Sequence, residues 1–185
     1  LSKLKKVGQV PGTNMIKPGK SVSLPKVGIE LKTYYFCACL LLGKVMIYIS
    51  RDVHFCAAHK LYNEKWTKEQ NEEIFGACAN ENWHGHNFDM TVTIKGEVDP
   101  DTGFVMNFRD LKKIINEEVL DKVDHKNLNL DVDFMQGMLT SCENLIVEVW
   151  KILDPKIKEV TGNRVSLHCL KIKETNKNYA EYYGD

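Results

Sequence analysis

The stretch HGHNFDMTVTIKGEV, beginning at His84, leaves little choice of local structure. His84, His86, Phe88, Met90, Val92 and Ile94 alternate with Asn87, Asp89, Thr91 and Thr93. A repeat of two is that of a strand with one buried and one wetter face. The buried face ends in two imidazoles instead of continuing as aliphatic side chains, so one strand carries both core and candidate chemistry.

Around it the pattern changes in a fixed order. MIYISRDVHFCAAHKL, from Met46 to Leu61, is rich in β-branched and aromatic residues and predicts a long first strand. NEKWTKEQNEEIFG reads as a loop with a short helix, and DPDTG at 99–103 as a turn. From Asn107 to Val123 the spacing of Phe108, Leu111, Ile114, Ile115, Val119 and Leu120 is helical, with Asn107 as a cap. A second helix is expected from Thr140 or Ser141 through NLIVEVWKIL, disturbed or ended by Pro155. Arg164–Glu174 and Tyr179–Tyr183 read as two closing strands. The expected order is strand, strand, helix, helix, strand, strand. A small sheet with helices on one face leaves its edges to be covered, and oligomerisation is a common answer.

The 185 residues are enough for one domain with a real core. Charge balances to zero overall, but residues 1–45 carry eight lysines and one glutamate, leaving residues 46–185 net acidic at −7. That balance disfavours a nucleic-acid partner. The first 45 residues repeat glycine, proline and lysine without helical or strand period, and are expected to be a poorly structured extension that need not belong to the native protein. The functional domain is expected to occupy residues 46–185. The apolar run Tyr34–Leu42 is too short to span a membrane. Cys37, Cys39, Cys56, Cys78, Cys142 and Cys169 form no CxxC pair and read as reduced thiols of a cytoplasmic protein.

CANENWHGHNF, Cys78 to Phe88, concentrates the chemistry. Residues i and i+2 of a strand point the same way, roughly 7 Å apart. His84 and His86 can therefore face one ion, with Gly85 leaving no side chain between them. A catalytic zinc usually takes three protein ligands and keeps an open position. His59, late in the first strand, is the best third candidate, because a paired neighbouring strand would bring it alongside. Two such histidines can equally be surface or core residues. Cys78 can be a fourth ligand, a catalytic thiol or a small buried apolar residue; spacing does not choose.

CAAHKLY, FGACANENWHGHNF, VDHKNLNLDV, TSCEN and KIKETNKNYAEYYG, in this order, closely resemble the 6-pyruvoyltetrahydropterin synthase family and its relatives, the 6-carboxytetrahydropterin synthases. The resemblance covers residues 46–185 and none of 1–45. It implies that zinc is held by His59, His84 and His86 and that Cys78 is the catalytic thiol. It further implies that Asp124 and His125 are a catalytic pair and that Glu174 and Glu143 bind the pterin. The implied fold is α+β, the tunnelling fold: a four-stranded antiparallel sheet with two helices on one face, closing as trimers into a barrel and as a homohexamer with sites between subunits.

The implied substrate is 7,8-dihydroneopterin triphosphate, from which the pyruvoyl-forming enzymes expel triphosphate. The five-residue gap between Cys78 and HGH resembles the pyruvoyl-forming type. The alternative is the carboxy-forming enzyme of the queuosine route, which also releases acetaldehyde. A second alternative is a non-catalytic zinc module with Cys78 as fourth ligand. Cys142 departs from the family, which commonly has threonine there, and Thr140 or Ser141 would be the replacement hydroxyl. Trp83 stands where a small residue is common, and is expected to wall the site or pack at an interface. His54 and His168 match no motif and are read as structural.

Overall fold

A computed structural model describes residues 45–185; the expectations for residues 1–44 lie outside the described residues. Strand β1 (Ile47–His59) pairs antiparallel with β2 (His84–Gly96) along its whole length, from Ile47 opposite Gly96 to His59 opposite His84. Between them lie helix α1 (Lys68–Phe75) and a 3₁₀ turn, Gly76–Ala79. Helix α2 is Phe108–Ile115, β3 is only Lys126–Asn127, and helix α3 spans Cys142–Val160. Strands β4 (Val165–Lys173) and β5 (Tyr179–Tyr182) close the chain.

The sheet order is β3-β1-β2-β4-β5. The pattern predicts four strands and the resemblance implies that they are antiparallel, and β1, β2, β4 and β5 pair so. The fifth strand is a correction: β3 runs parallel to β1, beside Ala57 and Ala58. Two residues are too few for any period to show in the sequence. The alternation of β2 is as expected, with Phe88, Met90, Val92 and Ile94 buried. They form one core with Leu111 and Ile115 of α2, Leu145, Val149 and Leu153 of α3, and Leu170 and Ile172 of β4. The opposite face is polar, with Ser50 bonded to Thr93 (2.9 Å) and the Thr91 hydroxyl donating to Asp52 (2.6 Å).

Both long helices start where capping chemistry predicts. Asn107 accepts from the Arg109 amide (2.9 Å), and Ser141 from the Asn144 amide (3.3 Å). Beyond Ile115 the expected single helix to Val123 changes to a π turn over Asn116–Leu120 before one last α turn, Asp121–Val123. Leu111, Ile115, Val119 and Val123 recur every four residues, so each would step about 40° around a regular helix. The wider turn absorbs that drift, and all four are fully buried. Pro155 does not end α3, which continues to Val160. Leu153 and Ile157, both fully buried, hold the helix on the sheet across the missing amide. Among the described residues, no helix is long and apolar enough to cross a membrane.

Candidate metal and active site

The β1–β2 register sets His59 directly opposite His84, and strand alternation puts His86 on the same face. Ring centroids lie 4.4 Å apart for His59–His84, 5.2 Å for His59–His86 and 5.0 Å for His84–His86. One nitrogen from each ring lies within 4.8 Å of the others. Gly85 is required for this approach: a Cβ there would meet the Ala57 carbonyl oxygen at 3.0 Å.

His59 is 1% exposed, and its Nδ1 lies 2.8 Å from the Thr140 carbonyl oxygen. A carbonyl only accepts, so Nδ1 carries the hydrogen and Nε2 presents a lone pair to the cluster. Apart from Arg51 Nε, the described buried side-chain polar atoms without a hydrogen-bond partner all belong to these rings: His59 Nε2, both nitrogens of His84, and His86 Nε2. Such atoms cost free energy unless something satisfies them. Burial also holds the His59 and His84 pKa values below the ordinary imidazole value. Neutral imidazoles with inward lone pairs are the donor set a divalent ion needs. The residues fit zinc, with His59 additionally oriented by a backbone carbonyl.

Glu174 follows β4, its amide donating to the Asn178 carbonyl (3.1 Å) in the turn to β5. Its Oε1 stands 3.4 Å from His59 Nε2 and 3.8 Å from His86 Nε2. At those separations it is an electrostatic neighbour of the rings and leaves their nitrogens without hydrogen bonds. Cys78 sits half-buried in the 3₁₀ turn, tied to the end of β1 by the Leu61 amide on its carbonyl (2.9 Å). A depressed thiol pKa is expected at a cation. The protein groups around Cys78 act the other way: burial, then the charge of Glu174, push it up.

Asp124 and His125 form a pair, Oδ2 to Nδ1 3.1 Å, with the His125 side chain 80% exposed. They are a separate group from the three imidazoles, although His86 and His125 line one cleft with Cys56, Gly85 and Asn87. Cys78 is not among the residues lining that cleft. Glu143 is exposed in the first turn of α3. Cys142 donates to the Ile172 carbonyl (3.4 Å), and burial pushes its pKa up to about 11. Thr140 and Ser141 are not spare hydroxyls. Thr140 bonds Asn129 (3.0 Å) and the Lys60 carbonyl (3.2 Å), and Ser141 caps α3. Trp83 walls a cleft with Lys60, Tyr62, Asn129 and Met135, and holds a left-handed φ of 66°.

Three supporting residues escape sequence reading. Thr140 orients His59. Asn129 accepts from the Lys60 amide and donates to the Lys60 carbonyl (3.0 Å each), holding the chain just past His59. Asn71, fully buried, accepts from the Asn63 amide (2.7 Å) and donates to the Asn63 carbonyl (3.0 Å), fixing the loop that leads to Cys78. Their signal is a polar side chain at a position that tertiary structure buries, which spacing does not reveal.

The model of the family described as 6-pyruvoyl tetrahydropterin synthase matches residues 48–185. The chain belongs to this family. It is 40% identical over 137 residues to the 6-pyruvoyl tetrahydrobiopterin synthase of Homo sapiens, covering 74% of this chain and 91% of that one. The enzyme of that name from Dictyostelium discoideum is 40% identical over 144 residues, 78% of this chain and 100% of the relative. The solved structure of Caenorhabditis elegans 6-pyruvoyl tetrahydropterin synthase superimposes with a TM-score of 0.69 at 39% identity, covering 77% of this chain and 98% of that one. The α+β architecture, helices on one face of the sheet, is therefore the family's tunnelling-fold unit.

Proposed function

We propose that this chain is a lyase that converts 7,8-dihydroneopterin triphosphate to 6-pyruvoyltetrahydropterin with loss of triphosphate. Membership of the family and relatives of 40% identity bearing that activity in their names support the reaction. The observation that carries the mechanism is the set of buried, unpartnered imidazole nitrogens of His59, His84 and His86. These residues would hold one zinc ion. When bound, the ion supplies a Lewis acid for the side-chain hydroxyls of the substrate and positive charge that favours the Cys78 thiolate.

The chain's own groups divide the remaining work. The Glu174 carboxylate accepts from the adjacent 2-amino and N3–H donors of the pterin, as a carboxylate does from a guanidinium. Glu143 adds negative charge at the start of α3 on the pterin side. Cys78 removes a proton from side-chain carbon. His125, oriented by Asp124, relays that proton, a base-plus-orienter arrangement. Proton loss and return expel triphosphate without net oxidation.

The separation of Cys78 from the cleft of His125 supports a site completed across subunits. Strands β3 and β5 are the two edges of the sheet, open to pairing with further copies. A barrel of three sheets, stacked as a homohexamer in the cytoplasm, accommodates both features. Mass spectrometry of the product from 7,8-dihydroneopterin triphosphate tests the reading. The expected product keeps all three side-chain carbons and appears with triphosphate alone. Release of acetaldehyde and a 6-carboxy product would assign the chain to queuosine synthesis instead, and no turnover of this substrate would overturn the reading.

A further inference from the structure

On the face of β1 opposite the zinc histidines, Cys56 lies against the Asp124–His125 pair. Residues 55, 57 and 59 of β1 face the core, so Cys56 faces away from it. Its amide donates to Asp124 Oδ1 (2.8 Å), and its carbonyl accepts from the His125 amide (2.7 Å). That second bond holds His125 at φ 58°, a left-handed conformation that few non-glycine residues adopt. The Cys56 thiol donates to Asn87 Oδ1, its cross-strand neighbour (2.8 Å). A sulfur, a carboxylate oxygen and an imidazole nitrogen of these three residues lie within 4.8 Å of one another.

Thiolate, imidazole and carboxylate are the ligand types that zinc takes, with bonds of about 2.0–2.3 Å. The Asp124–His125 separation of 3.1 Å is already close to the edge of such a coordination shell. One backbone bond and one bond from the Cys56 amide to the Asp124 carboxylate fix the segments that carry the ligands, so side-chain rotation alone brings the sulfur in. We propose that Cys56, Asp124 and His125 form a second site for a thiophilic divalent cation, distinct from the three-histidine site. The Cys56 thiol releases its proton to solvent on binding. An ion held here takes the place of the hydrogen between Asp124 Oδ2 and His125 Nδ1; the neutral ring then carries its hydrogen on Nε2 and keeps no basic nitrogen for the proton relay, so the ion inhibits. The inhibition rests on the catalytic reading of Asp124 and His125; the binding does not. Because the pair has to meet substrate, the same route admits an ion.

The test loads the three-histidine site with one zinc per chain, adds cadmium, and counts bound metal after desalting. Wild type is expected to take up a second equivalent and to show a thiolate-to-cadmium charge-transfer band. Cys56→Ser is expected to lose that equivalent and the band, and whatever turnover it retains is expected to resist cadmium inhibition. His125→Ala also loses the equivalent, whereas Cys78→Ala keeps both equivalent and band. The site is overturned if wild type binds no second ion, if Cys56→Ser binds it unchanged, or if the band disappears with Cys78 instead. Metal counting needs no turnover, so a second equivalent bound by an inactive protein would keep the site and remove only the lyase reading.

Discussion

Strand β2 buries one face in two different ways. From Phe88 to Ile94 the buried side chains are apolar and meet α2, α3 and β4, so burial and satisfaction coincide. At His84 and His86 the side chains are only half-buried, and the ring nitrogens that are shut from water there have no partner. The alternation that builds the core also builds the site, and only the unmet polar atoms separate them. A contrast within one strand is a sharper guide to function than burial or residue type alone.

The largest expected effect tests the unsatisfied half. His84→Ala should lose bound zinc and reduce turnover to background, read by metal analysis beside a product assay; retained zinc would make the cluster an ordinary polar core. Zinc should in turn stabilise wild type against urea by about 4 kcal/mol at a thousand times its dissociation constant. His84→Ala should gain nothing from the same addition.

The satisfied half should behave in the opposite sense. Without metal, Met90→Ala should cost about 2–5 kcal/mol of folding stability. His84→Ala should then cost under about 1 kcal/mol, since its ring makes no hydrogen bond to lose. Equal losses in chelator-treated urea titrations would erase the contrast. Glu174→Gln should weaken pterin binding by about 1.5–3 kcal/mol, the range for hydrogen bonds to a charged group, with zinc content unchanged. Smallest is Cys142→Thr. The Cys142 thiol, pushed up to about 11, stays protonated at neutral pH and donates to the Ile172 carbonyl. A threonine hydroxyl would do the same, and thermal melts should shift by less than about 1 kcal/mol equivalent.

What was legible in the sequence follows physical range. The period of β2, the caps at Asn107 and Ser141, and the pairing that sets His59 beside His84 arise from local spacing and from two strands meeting. The parallel pairing of Lys126–Asn127 and the π turn after Ile115 involve too few residues to leave a periodic trace. Helix α3 passes Pro155 because buried leucine and isoleucine on either side outweigh a local rule. Thr140, Asn129 and Asn71 act through tertiary contacts with residues far along the chain or in an adjoining loop. Cys56 reads as one more strand residue until the fold sets it beside Asp124, which lies 68 positions later.

The central claim is that three imidazoles alone hold the ion while the neighbouring thiol does chemistry. Zinc content and turnover, measured together on Cys78→Ala protein, test it most directly. One zinc per chain retained, with turnover reduced by about 10²–10⁴-fold, is the predicted result. Zinc lost together with the thiol would make Cys78 a structural ligand and contradict the account.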